Sequence, residues 1–185
     1  MKSIILILFN TKKGLELLDN EFEDHLNRKS NIIFGVYAII IFLFSFDLTA
    51  KTKIEFVFLI LQLILTIGFS ILVGTFFSYL LFKIGERLNG KATYIEIFSL
   101  FAYSFIPIII GLTCIGVLKN TEFFIHEYNN SYLRNSLLCI SWLLSIDILF
   151  QGFIKFNKYS ILNAVINIAP LLILQIGTLI SNFYL

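Results

Sequence analysis

The chain has 185 residues, 58% of them apolar and 21 of them phenylalanine, with a formal net charge of +2; its mean hydropathy is +0.88. A soluble core of this length has no room for so many Phe, Ile and Leu side chains, so composition places the chain in the membrane class. So small a net charge excludes a nucleic-acid surface built on bulk positive charge.

In chain order, "MKSIILILFN" holds an apolar stretch, Ile4 to Phe9, that is too short for a secretory leader and has no small-residue cleavage site after it. Next, "TKKGLELLDNEFEDHLNRKS" sets Leu15, Leu18, Phe22 and Leu26 at helical spacing, with Glu16, Asp19 and Glu23 mostly away from them. This predicts a short amphipathic helix capped by Asn10 or Thr11. Its polar face is acidic, whereas helices lying on anionic lipid show a basic one. Segment 1–30 is therefore read as a cytoplasmic helix packed on the bundle's own surface or on a partner.

Five apolar runs follow, each close to the ~20 residues that a membrane span needs: Asn31 to Leu48, Ile54 to Phe82, Tyr94 to Leu118, Ser136 to Ile154 and Ile161 to Leu185. They are continuously apolar, without the alternation of a barrel strand, and backbone groups in lipid must be satisfied within each run. The expected fold is all-α: a polytopic bundle of five transmembrane helices over 31–185, with the short amphipathic helix before it. Five spans would place ten basic residues on the N-terminal side (Lys2, Lys12, Lys13, Arg28, Lys29, Lys83, Arg87, Lys91, Lys155, Lys158). The other side would hold four: Lys51, Lys53, Lys119 and Arg134. That asymmetry predicts a cytoplasmic N-terminus and a C-terminus outside.

Within the second span, Thr66, Ser70, Gly74 and Ser78 recur every fourth residue. Such a stripe lets another backbone approach closely; the alternative is a narrow polar seam. The turn "GERLNGKA" has phosphate-loop spacing, but it follows an apolar run and has Ala92 where a magnesium-holding hydroxyl should be, so nucleotide binding is not expected. Gly85 and Gly90 are expected to let the chain turn, with Lys83, Arg87 and Lys91 facing headgroups. In the third span, Glu96 sits in the first turn, where the helix dipole favours a carboxylate and Lys91 or Arg87 lies in reach. Pro107 withdraws the donor for the Tyr103 carbonyl, so a bend is expected there, with Ser104 as one candidate to satisfy the freed group. Pro170 should bend the fifth span in the same way.

Asp147 and Gln151 share one face of the fourth span, and Asn163 and Asn167 share one face of the fifth. An antiparallel hairpin would pair Gln151 with Asn163 and Asp147 with Asn167, as a structural ladder or as a proton or ion relay. A carboxyl at a helix centre costs about 3 kcal/mol to insert, so Asp147 is expected to face protein. Cys114 and Cys139 lie in apolar runs and read as buried thiols, with a disulfide as the alternative. His25 and His126 lie outside the spans, and no Gly-x-Ser-x-Gly turn is present. No catalytic residue, metal site or cofactor is therefore expected. Asn129, Asn130 and Ser131 form a glycosylation sequon.

Taken together, "GKATYIEIFSLFAYSFIPIIIG" after a small-residue-rich span resembles the Yip (Ypt-interacting protein) family, whose third helix carries an "aYs-x-x-P" segment, here Ala102, Tyr103, Ser104 and Pro107. "FNTKKGLELLDNEF" is similar to the family's pre-membrane helix, and "QGFIKFNKYSILNAVINI" to its Gly-containing turn before the last span. The resemblance implies a multi-pass bundle with a cytoplasmic N-terminus. It also implies a non-enzymatic module that binds lipids, other membrane proteins or itself. About thirty residues precede the first span, with no long tail for Rab recruitment, so the chain looks like the compact bacterial members and is expected in a plasma (inner) membrane. A small transporter or proton-linked permease using Asp147, Gln151, Asn163 and Asn167 is the alternative.

Overall fold

The structure, a computed structural model, describes residues 2–45, 52–120 and 131–184; Asp47, Lys51, His126 and the sequon's Asn129 and Asn130 lie outside the described residues. Among the described residues the chain is helical, with no strand.

Two short helices open it: α1, Lys2–Phe9, and α2, Thr11–Asp19. Asn10 separates them, and its Oδ1 accepts the Lys13 N–H at 3.2 Å, so the expected cap is present. The apolar stretch before that cap is itself a helix. It crosses α2 so closely that a Cβ on Gly14 would come within 2.6 Å of the Ile7 backbone. Ile7, Leu15 and Leu18 are all buried in the main core cluster. The amphipathic helix is shorter than its periodicity suggests, because the chain turns at Asn20 to Phe22, leaving Phe22 81% exposed. A new helix, α3, Glu23–Ser45, begins there with Glu23 and Asp24 in its first turn and runs unbroken into the first span.

Next comes α4, Lys53–Arg87, opened by a Thr52–Glu55 capping box. Its 35 residues span about 52 Å at 1.5 Å per residue, well beyond the ~30 Å of hydrocarbon in a bilayer. The N-terminal half stands clear of the other helices, with Ile54 71% and Leu65 62% exposed. The third span is two helices, α5, Tyr94–Ser104, and α6, Ile106–Asn120. At the break, Phe105 N–H reaches back three residues to Ala102 O at 3.1 Å. The interruption falls where Pro107 removes a donor. The expected role of Ser104 is corrected: its hydroxyl donates to Phe101 O at 2.7 Å, not to the Tyr103 carbonyl. The last two helices are α7, Ser131–Asn157, and α8, Ile161–Tyr184, which continues through Pro170.

Among the described residues, four helical stretches are long and apolar enough to cross a membrane: Glu23–Ser45, Lys53–Arg87, Tyr94–Lys119 and Tyr132–Asn157. A shorter apolar stretch, Ile161–Ile173, begins α8. The order of contacts sets the directions. Ser30 meets Ser99 and Tyr37 meets Phe105, so α3 and α5 run in parallel. Phe77 meets Phe101 and Phe82 meets Tyr94, so α4 runs against α5. α7 runs against the α5–α6 pair, with Gly152 on Leu100 and Gly111 on Ser141.

Phe34 is the hub of the packing between α3, α4 and α5. Its ring lies 5.4 Å from Phe98, 5.7 Å from Phe105 and 6.0 Å from Phe101. Gly74 leaves the space for it: a Cβ there would be 2.6 Å from the ring. The stripe of small residues thus meets α3, and Ser70 Oγ donates to the Phe34 carbonyl at 3.1 Å. Ser78 Oγ and Thr66 Oγ1 instead bond carbonyls of their own helix, Gly74 and Gln62. Cys114 and Cys139 are free and exposed, which corrects the expectation of buried thiols.

Gly74→Leu should destabilise the bundle by about 1–3 kcal/mol, because the added side chain must displace the Phe34 ring. Gly68, with nothing within 4 Å of its would-be Cβ, is the control. Gly68→Ala should be neutral or stabilising by up to ~1 kcal/mol through helix propensity. Thermal unfolding of both variants in detergent checks the contrast.

Candidate functional site

Two buried amides, Asn157 and Asn167, lie at the end of the bundle where α1 and α2 sit. Two turns meet there, α4–α5 (88–93) and α7–α8 (158–160). Each parent helix closes with a six-to-one backbone bond, Gly90 N–H to Gly85 O at 2.9 Å and Tyr159 N–H to Ile154 O at 3.2 Å. The left-handed residue that such a closure needs is Asn89 (φ 59°) in one turn and Lys158 (φ 55°) in the other.

This corrects the role expected of the glycines in "GERLNGKA". No glycine among the described residues has positive φ. Gly90 is required by close approach: a Cβ there would lie 2.2 Å from Asn157 Oδ1 and 2.6 Å from the Tyr159 hydroxyl. Into that space Asn157 docks the two turns. Its Oδ1 accepts the Ala92 N–H and its backbone carbonyl accepts the Lys91 N–H, both at 3.3 Å. The Tyr159 hydroxyl donates to Gly85 O at 2.8 Å and accepts from Asn167 Nδ2 at 3.5 Å. Burial raises the Tyr159 pKa above 10.0, while the Asn167 bond lowers it, with burial the larger effect. The phenol therefore stays protonated and donating at neutral pH. Asn157 Nδ2 and Asn167 Oδ1 are buried without a protein partner among the described residues.

The predicted polar residues are distributed differently from the expected ladder. Asn167 is fully buried, but its partner is Tyr159. Gln151 Nε2 donates to Asp147 Oδ2 at 2.7 Å within α7, and Asp147 is exposed on the outside of the bundle. Asn163 is half-buried; its backbone N–H bonds the capping Ser160 hydroxyl at 3.4 Å. The cross-hairpin pairs Asp147–Asn167 and Gln151–Asn163 are not formed. Their helices do pack, but α7 turns its polar face away from α8.

Glu96 is also placed differently from the expectation of a pair with Lys91 or Arg87. Its carboxylate accepts the Thr93 N–H at 2.6 Å, and Thr93 Oγ1 accepts the Glu96 N–H at 3.3 Å, a reciprocal capping box. The spacing T-x-x-E was available in the sequence as its signal. Tyr103 is fully buried, and its hydroxyl lies 3.4 Å from Ser3 Oγ of α1. With the ion pairs Lys29–Glu21 at 2.5 Å and Lys155–Asp19 at 3.7 Å, this contact ties the N-terminal helices to α3, α5 and α7. Asn157, Tyr159 and Ser3 were not marked by any sequence pattern, because only folding brings the two turns and α1 together.

On the side of the bundle, α3 and α4 part to leave an apolar groove of about 360 Å³, lined among others by Tyr37, Val73, Phe77, Phe105 and Leu171. Among the described residues, no group of three or more His, Cys, Asp or Glu side chains is placed to hold a metal.

A family model described as Yip1 domain matches residues 16–182. The chain belongs to the Yip1 family. The match takes in the last four residues of α2 and everything from α3 almost to the end of α8, so the docked turns, the broken third span and the groove are all parts of a Yip1 domain. α1 lies before it. With its long apolar helices, this Yip1 protein is a multi-pass membrane protein. No curated protein and no solved structure matches the chain.

Four substitutions test the docked turns, all read by melting in detergent. Gly90→Ala should destabilise markedly, since Asn157 must leave its place. Asn167→Leu should cost about 1–3 kcal/mol by stripping a buried bond, whereas Asn163→Leu should change little. Lys158→Gly should stabilise by about 1 kcal/mol, relieving a left-handed conformation that a side chain disfavours.

Proposed function

We propose that this Yip1 protein is a non-enzymatic membrane module that holds apolar membrane components, lipid chains first, in its lateral groove. The groove between α3 and α4 carries this reading. It is mid-span, walled by Tyr37, Phe77 and Phe105, and opens sideways, where an acyl chain can enter from the bilayer without leaving oil. The serine and threonine hydroxyls at its edge are already used: Ser70 donates to Phe34 O and Thr66 to Gln62 O. The lining is mostly apolar and selects for apolar shape. The permease reading needs a continuous polar seam, and the Asp147–Gln151 pair on one face of α7 and the Asn167–Tyr159 pair at the turns do not supply one.

In the proposed orientation, the end with α1, α2 and the docked turns faces the cytoplasm of a plasma (inner) membrane. Ten of the chain's 14 basic residues belong to that end by their position in the sequence.

In vesicles containing a phospholipid with a photoreactive group midway along its chain, labelling should concentrate on the α3 and α5 peptides that line the groove. Val73→Trp, which fills the groove, should reduce that labelling severalfold and leave labelling of the outer half of α4 unchanged. Equal labelling of groove and outer α4 in the unaltered protein would overturn the reading. Thiol labelling of Asn10→Cys in right-side-out vesicles should occur only after permeabilisation.

A further inference from the structure

On α7, Leu133, Ser136, Ile140, Leu143, Asp147, Phe150 and Ile154 follow the three-four spacing of a coiled-coil seam. The first five are exposed, with Ile140 56% and Leu143 55% accessible, and the last two are half-buried. The helix thus turns the part of this stripe from Leu133 to Asp147 away from its own bundle, while Phe150 and Ile154 pack against the core. At the inner end of the exposed part stands the one acidic residue of the span, Asp147. It lies about 12 Å along the helix from Lys155, at 1.5 Å per residue, and so deep in the hydrocarbon. There its carboxyl has one bond, from Gln151 Nε2. An amide N–H₂ has two donors and a carboxyl has more than one acceptor site, so each member of the pair keeps capacity for a second bond. Oil supplies nothing to meet it.

We propose that this face of α7 is the self-association surface of the protein, and that its occupant is α7 of a second copy. The hydrogen-bonding pattern favours a copy over another partner. A two-fold axis along the membrane normal brings each position of the stripe beside its equivalent. Asp147 and Gln151 of one copy then face Asp147 and Gln151 of the other. Gln151, one turn from Asp147, can donate its second N–H across the interface to the partner's Asp147 while keeping the bond in its own helix. The pair is self-complementary in donors and acceptors. The apolar positions on the N-terminal side of the pair, Ile140 and Leu143, interlock as seam residues do. A single polar residue at a core position of such a seam sets register and copy number. The interface lies on a different face from the α3–α4 groove, so occupancy of one leaves the other open.

The test uses the full chain in phospholipid vesicles. In a Cys114→Ser, Cys139→Ser background, single cysteines are placed on the seam (Ser136→Cys, Ile140→Cys, Leu143→Cys) and on the exposed side of α4 (Leu65→Cys, Leu72→Cys). Oxidation should give covalent dimers at the three seam positions and not at the α4 positions. Uniform crosslinking across both helices, or none at the seam, would overturn the proposal. Crosslinking of Ile140→Cys in native membranes to a different protein, and not to itself, would also overturn it. In a dilution series followed by single-molecule photobleaching, Asp147→Ala with Gln151→Ala should weaken association by about tenfold, the upper range for interhelical polar contacts in membranes. Asp147→Asn, which keeps an acceptor oxygen for the Gln151 amide, should leave it within about threefold. An unchanged dimer fraction in the double variant would assign the contact elsewhere. These readouts are independent of lipid labelling in the groove, so the two proposals fail separately.

Discussion

The space that a missing side chain leaves at Gly90 is the constraint on which the rest of this bundle depends. Asn157 Oδ1 occupies the place of a Cβ there, and the Tyr159 hydroxyl lies just beyond it. Because that approach is possible, the end of α7 can bond the backbone of the α4–α5 turn, and Tyr159 can reach the Gly85 carbonyl. Those bonds satisfy backbone groups that helix ends always leave open, in a place where the protein buries them. They also fix where α5 and α8 begin, and so how the halves of the bundle sit against each other.

From this fixed end the packing runs down the spans. Leu100 fits against Gly152, Phe34 against Gly74 and Ser141 against Gly111, so these three helix crossings each pair a bulky or polar side chain with a glycine. Membrane helices gain little from burying apolar surface, since lipid is equally apolar, and associate where shapes allow close contact. The N-terminal pair α1 and α2 completes the same end, with Ser3 beside the Tyr103 hydroxyl and Asp19 beside Lys155. The break before Pro107 lies near this anchored level and lets Phe105 turn its ring between Phe34 and Tyr37.

Asn157, Tyr159 and Asn167 are spent on holding turns together, which leaves the lateral surfaces to meet other molecules. One is the groove of α3 and α4, bounded by aromatic rings. The other is the seam of α7, bearing Asp147 paired with Gln151. The proposed gathering of membrane components rests on these two separate lateral faces.

Much of this was legible in the sequence. Long apolar runs dictate helices, since a backbone in oil can bond only within its own segment. Local chemistry also announced the Asn10 cap, the interruption at Pro107 and the close-packed stripe through Gly74. Side-chain direction was not legible. Asp147 and Asn167 sit at equivalent distances from the hairpin turn, yet one faces out and the other in. Which way a helix rotates about its axis depends on the neighbours it packs against, and linear spacing carries no record of them. The glycines of "GERLNGKA" show the same limit: the sequence marks two places without a Cβ, and only the fold reveals that the space belongs to Asn157 and Tyr159.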